Sequence, residues 1–179
     1  MRSRSAGVLI LSLIMLSGCA RAVDPVEPGS PLTTLQEARV FQNDELVRLA
    51  QYVSPEWIVG GFEEPIPRMH GLSCDWMAGA ASSPDVAGVM LPGGYDLEVK
   101  PTVNLIPILE MVAEEYQQDG WAVDWEEPNK HEDLMLTCPE GYVFFVSATM
   151  LRDGGLEYSM SSFSPCLKAP EGFTLFDEY

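Results

Sequence analysis

Positive charge is scarce in this sequence. Its 179 residues include 10 Lys and Arg against 27 Asp and Glu, a formal net charge of −17. A surface of that sign repels nucleic acid, anionic lipid headgroups and wall polyanions, so no nucleic-acid partner is expected. Histidine is limited to His70 and His131, and cysteine to four residues. Structural zinc asks for four ligands in two local pairs. His70 and Cys74 have a permissible spacing, but no second close pair accompanies them. Neither a metal nor another cofactor is therefore expected. A nucleophile elbow is missing as well, because Gly71-Leu72-Ser73-Cys74 lacks the second glycine of G-x-S-x-G. There is no D-x-D-x-D-G calcium loop. Nor is there a long hydrophobic run: the apolar segment Val8 to Leu16 is well short of the about 20 residues an ordinary span needs.

That short segment is nevertheless the most informative feature present. Arg2 and Arg4 precede it, and Leu16-Ser17-Gly18-Cys19 closes it before the chain turns polar and Pro-rich. A basic start, a short apolar core and a small-residue site make the layout of a secretory signal. The ending resembles the lipobox of bacterial lipoproteins, which implies a signal peptide over 1–18 and Cys19 as the acylated first residue of the mature chain. A plain signal peptide or a short uncleaved anchor are the alternatives. One acyl chain holds a protein weakly and two hold it stably, at about 0.8 kcal/mol per buried CH₂. The expected location is the extracytoplasmic face of the cell membrane, lipid-anchored through Cys19. Loss of 1–18 takes Arg2 and Arg4 with it and leaves the remainder more acidic still. Residues 19–31 contain Pro25, Pro28 and Pro31 and read as a tether, able to lift a domain about 35 Å from the bilayer.

Residues 32–170 form one expected domain, followed by an acidic tail over 171–179. Thr34 and Glu37 have capping-box spacing. Leu35, Ala38, Leu46, Leu49 and Val53 then recur at approximately helical intervals, with Asn43-Asp44 as a point of interruption and Pro55 as the stop. Trp57-Ile58-Val59 and Leu72 to Met77 read as short strands, and Ala78 to Gly88 as a small-residue loop. Tyr95, Leu97 and Val99 alternate with charged residues, as a half-buried strand does. Asn104 is placed to cap a helix whose apolar face is Leu105, Ile108, Leu109, Val112, Ala113 and Tyr116, with Pro107 in its first turn and Gly120 past its end.

Trp121, Val123 and Trp125 switch the period to two, and three further strands follow. Leu134, Leu136 and Cys138 share one face, as do Phe144, Val146, Ala148 and Met150, and then Leu156, Tyr158 and Met160. Pairing Leu136 with Phe144, and Ala148 with Tyr158, keeps every apolar set on one side, as a meander requires. The fold class is α+β: a two-layer domain with an antiparallel sheet packed on two helical segments. In this register Cys138 and Cys166 lie two strands apart, about 10 Å, whereas a disulfide needs Cα atoms within about 7 Å. That pair is disfavoured unless the chain loops back after Phe163. Cys74–Cys166 is the expected bond, and Cys138 the expected core thiol.

Taken together, Leu16–Cys19, Cys74, Gly120-Trp121, Gly141-Tyr142 and Ser164-Pro165-Cys166 give a layout that resembles the small actinobacterial lipoproteins of the LppA type. The resemblance implies a two-layer α+β lipoprotein on the outer face of the cytoplasmic membrane, with a cysteine pair at Cys74 and Cys166. Cys138 departs from that two-cysteine plan, and no catalytic residues carry over.

Other candidates are less pointed. His131 lies between Lys130 and Glu132, a surface setting. Glu126-Glu127 and Glu132-Asp133 could meet across a turn and offer oxygens to a cation; Glu63-Glu64 and Asp177-Glu178 fit solvated surface. Trp57, Trp76, Trp121 and Trp125 could stack on sugars or a partner, but alternation assigns Trp121 and Trp125 to the core. Val89, Met90 and Leu91, set between Gly88 and Gly93-Gly94, read as an exposed apolar loop for a partner. With no catalytic set, the chain is expected to be a noncatalytic envelope interaction or support module. A binding module for a small ligand or cation is the alternative, and an enzyme a third class.

Overall fold

The computed structural model describes residues 34–61, 71–74, 88–125, 132–169 and 171. Helix α1 (Leu35–Ala50) starts on the capping box: Glu37 N–H donates to Thr34 Oγ1 at 3.1 Å, and Thr34 N–H to Glu37 Oε2 at 2.8 Å. Asn43-Asp44 does not interrupt it, since the helix runs unbroken through both. Pro55 opens a 3-10 turn (Pro55–Trp57) rather than ending α1. In place of a strand at Trp57–Val59, only Ile58 bridges to Val99.

Strands β1 (Leu72–Ser73) and β2 (Val89–Met90) form a two-stranded antiparallel sheet. The main sheet holds β3 (Pro92–Val99), β4 (Ala122–Trp125), β5 (Asp133–Thr137), β6 (Val143–Met150) and β7 (Leu156–Phe163), in the order β3-β7-β6-β5-β4 with every pair antiparallel. Helix α2 (Ile106–Gln118) carries the chain from one edge strand, β3, to the other, β4. No helix among the described residues is long and apolar enough to cross a membrane.

The meander register agrees with the alternation in the sequence: Leu134 pairs with Val146, Leu136 with Phe144, Ala148 with Tyr158, and Met150 with Leu156. One face of the sheet is thereby apolar, and both helices lie on it. Helix α1 covers β3 and β7, and α2 covers β4, β5 and β6. Phe144 is fully buried, with its ring 6.4 Å from that of Phe41 on α1 and 5.7 Å from Trp121 just beyond α2. Trp121, Val123 and Trp125 pack partly buried against this core. Gly120, at φ 87°, takes the left-handed turn that releases the chain from α2 into β4. A polar clamp joins the two helices at the surface. Arg48 donates to Glu115 at 3.0 Å and Asp119 at 2.6 Å and lies over the Tyr116 ring, whose hydroxyl donates to Glu45 at 2.7 Å.

Val89, Met90 and Leu91 require a correction. They are not an exposed loop: Val89 and Leu91 are fully buried, and Met90 nearly so. Val89 and Leu167 exchange both backbone hydrogen bonds at 2.8 Å; Ser164 N–H donates to Leu91 O at 3.0 Å, and Ser164 Oγ accepts from Leu91 N–H at 2.8 Å. The chain after β7 therefore continues alongside β2, and a short apolar run between glycines is here a buried strand. Two polar residues of α1 complete this seam. Gln42, fully buried, donates to Leu91 O at 2.9 Å and Ser162 Oγ at 3.1 Å, while Arg39 donates to Pro92 O.

Gly88 sits where the seam meets the Cys74–Cys166 disulfide. A Cβ at this position would lie 2.5 Å from Cys166 Sγ and 3.0 Å from Cys74 Sγ, closer than van der Waals contact permits. Gly88→Ala is accordingly expected to lower stability by about 1–3 kcal/mol and to make the bond easier to reduce. Urea unfolding and a dithiothreitol titration check this, and an unchanged midpoint in both would contradict it.

Candidate functional site

A cleft of about 440 Å³ opens where the approach to α2 meets the far end of the sheet. That volume is within the range of small-molecule sites. Val103, Leu105, Ile106, Ala148, Met150 and Leu156 supply its apolar surface, and Asn104, Glu132, Asp133 and Thr149 its polar rim. Two local features position it. Asn104 Oδ1 accepts from Ile106 N–H at 3.2 Å and so tightens the turn into α2; Asn104 acts there as a turn residue, one place ahead of the N-cap residue Leu105. On the other wall, Ala148 N–H donates to Glu132 O at 2.9 Å, carrying the β5–β6 ladder one residue past Asp133. Met150 is 63% exposed at the strand end, a large apolar side chain left at the rim.

The cysteines divide by burial and bonding. Cys74 and Cys166 are joined, with Cα atoms 6.0 Å apart. Cys138 is a buried free thiol, and it accepts a hydrogen bond from Tyr142 N–H at 3.3 Å. Burial pushes this thiol up to about 12. It is thus protonated at neutral pH and a poor nucleophile. Burial likewise lifts the Tyr142 and Tyr52 phenols to about 12. For all three groups the folded value lies above the ordinary one, so their contribution to stability is intact below about pH 9 and is lost as pH rises toward about 12. The urea midpoint should therefore hold between about pH 7 and 8.5 and then fall steadily, and iodoacetamide should reach Cys138 only on unfolding. A midpoint that stays level to about pH 11 would contradict this.

Of the candidates from the sequence, the structure joins Cys74 to Cys166 and places Glu132 and Asp133 at the cleft. Glu126, Glu127 and His131 lie outside the described residues, as do Cys19, Glu63, Glu64, His70, Trp76, Asp177 and Glu178. The disulfide removes two thiols from any zinc set, and Cys138 is sealed in the core. Trp57 is half-buried against the core rather than free to stack. No protein-family model, curated protein or solved structure matches this chain. Function therefore has to be argued from the chain itself. The cleft residues Asn104, Ala148, Thr149 and Met150 were not visible as a group beforehand. The one available signal was Met150, an apolar residue next to the Arg152–Gly155 turn, where a strand end leaves the cover of the helices.

Proposed function

We propose that this protein is a lipid-anchored, noncatalytic interaction or support module of the cell envelope, held on the extracytoplasmic face of the membrane through Cys19, in the manner of the LppA-type lipoproteins its layout resembles. The observation that carries the reading is Leu16-Ser17-Gly18-Cys19 at the end of a short apolar segment with a basic start. The Cys74–Cys166 disulfide supports it, because such bonds persist in oxidising compartments outside the cytoplasm. The acidic balance supports it too: lipid holds at the membrane a domain whose own charge keeps it clear of anionic headgroups.

The test is metabolic labelling with an alkynyl fatty acid. The wild-type chain is expected to take up label and Cys19→Ala to take up none, even though Cys74, Cys138 and Cys166 remain. Equal labelling of the two would overturn the anchor. A second reading, an extracytoplasmic binding module for a small ligand, is favoured by the cleft of about 440 Å³ at the start of α2.

A further inference from the structure

Among its described lining residues the cleft carries two carboxylates and no basic side chain. A helix start ordinarily attracts anions through its free N–H groups, but here those groups are used. Ile106 N–H goes to Asn104 Oδ1, Pro107 has none, and those of Ile108 and Leu109 both go to Leu105 O at 3.0 Å. Glu132 lines the cleft instead: it lies opposite Ala148 in the β5–β6 ladder, on the face that carries Ala148 and Met150, while Asp133 and Thr149 alternate to the other face at the cleft's edge. The floor is built from the inner face of the sheet where neither helix covers it: Ala148 and, paired across β6 and β7, Met150 and Leu156. A ligand matched to this site has a compact hydrocarbon body and a positive end. The chain's net charge of −17 raises the local concentration of such a ligand and lowers that of an anion.

We propose that this cleft binds a small amphiphilic cation, an aliphatic or alicyclic amine, with its hydrocarbon on Ala148, Met150 and Leu156 and its ammonium group against Glu132. The proposal rests on the second reading above, that the protein binds a small ligand, and adds the chemical class.

Three isosteric probes separate the two: cyclohexylmethylammonium, cyclohexanecarboxylate and cyclohexylmethanol, each titrated into the full-length protein and followed by the Met150 methyl resonance and by calorimetry. The ammonium probe is expected to bind about tenfold more tightly than the alcohol, with the carboxylate weakest. Glu132→Gln should weaken the ammonium probe about fivefold and leave the alcohol unchanged. Ala148→Leu, which fills the floor, should weaken every probe. Glu98→Gln, an exposed residue on β3 outside this cleft, should change nothing and thus controls for diffuse attraction to an acidic protein. Equal binding of all three probes, a preference for the carboxylate, or an equal loss in Glu98→Gln and Glu132→Gln would overturn the cation assignment while leaving a binding module standing. Binding of none would overturn both.

Discussion

Replacing Cys74 and Cys166 together with alanine is expected to destabilise the protein by about 4 kcal/mol. The bond closes a sequence separation of 92 residues, which takes in the whole five-stranded sheet and α2. In the chain-entropy account, a loop of about that length restricts the unfolded ensemble by roughly 4–5 kcal/mol at 25 °C. The folded side adds a local reason. Cys74 lies just after β1, and Cys166 lies next to Leu167, whose bonds to Val89 hold the end of the chain to β2. Without the bond, what holds β1 among the described residues is its two-residue pairing with β2 and the hydrogen bond from Cys74 N–H to Gly88 O. Domains of this size have about 5–15 kcal/mol of stability in total, so the loss should be plain in urea unfolding. Wild-type protein held in reductant should approach the same midpoint. A change under about 1 kcal/mol in both would mean that the bond is incidental to the fold.

Phe144→Ala is expected to cost about 3–5 kcal/mol, as deletion of a buried aromatic ring does when its surroundings cannot collapse. Phe144 is on β6, the middle of β7, β6 and β5, and its ring lies between Phe41 from α1 and Trp121 from the end of α2. Both helices and the sheet lose a contact at once. Phe145, one residue on, points to the opposite face of the sheet; it is half-buried there, with its ring 6.2 Å from that of Phe163. Phe145→Ala should cost roughly 1–2 kcal/mol. Similar losses for the two variants would contradict the assignment of the helix-covered face.

Much of this architecture is legible from period alone. Strict alternation over Leu134–Cys138, Tyr142–Met150 and Leu156–Met160 admits few registers that keep all apolar sets on one side, and the observed pairings are the ones that do. The same register disfavours a Cys138–Cys166 bond, because it separates Cys138 from the end of β7, and it puts Cys138 on the apolar face. What escaped the pattern was polarity in buried places. Positions 35, 38, 42, 46, 49 and 53 follow one another at three- and four-residue steps, so Gln42 sits in the middle of the apolar stripe of α1. Its side-chain amide donates to Leu91 O and Ser162 Oγ, and hydropathy cannot express such a pairing. The segment Val89–Leu91 was ambiguous for another reason: a run so short has no period, and its partners, β1 on one side and Leu167 and Ser164 far along the chain on the other, decide its structure. The cleft was least legible of all. It is shaped by where the helices stop covering the sheet, a consequence of packing rather than of any local spacing.

Intact-mass and fragment-ion analysis of the mature protein extracted from cell membranes tests the account most directly. The expected species begins at Cys19, carries a diacylglyceryl group on that residue, holds Cys74 and Cys166 in one disulfide and leaves Cys138 as a thiol. A chain that begins elsewhere and carries no lipid, or one in which Cys138 is bridged, would contradict it.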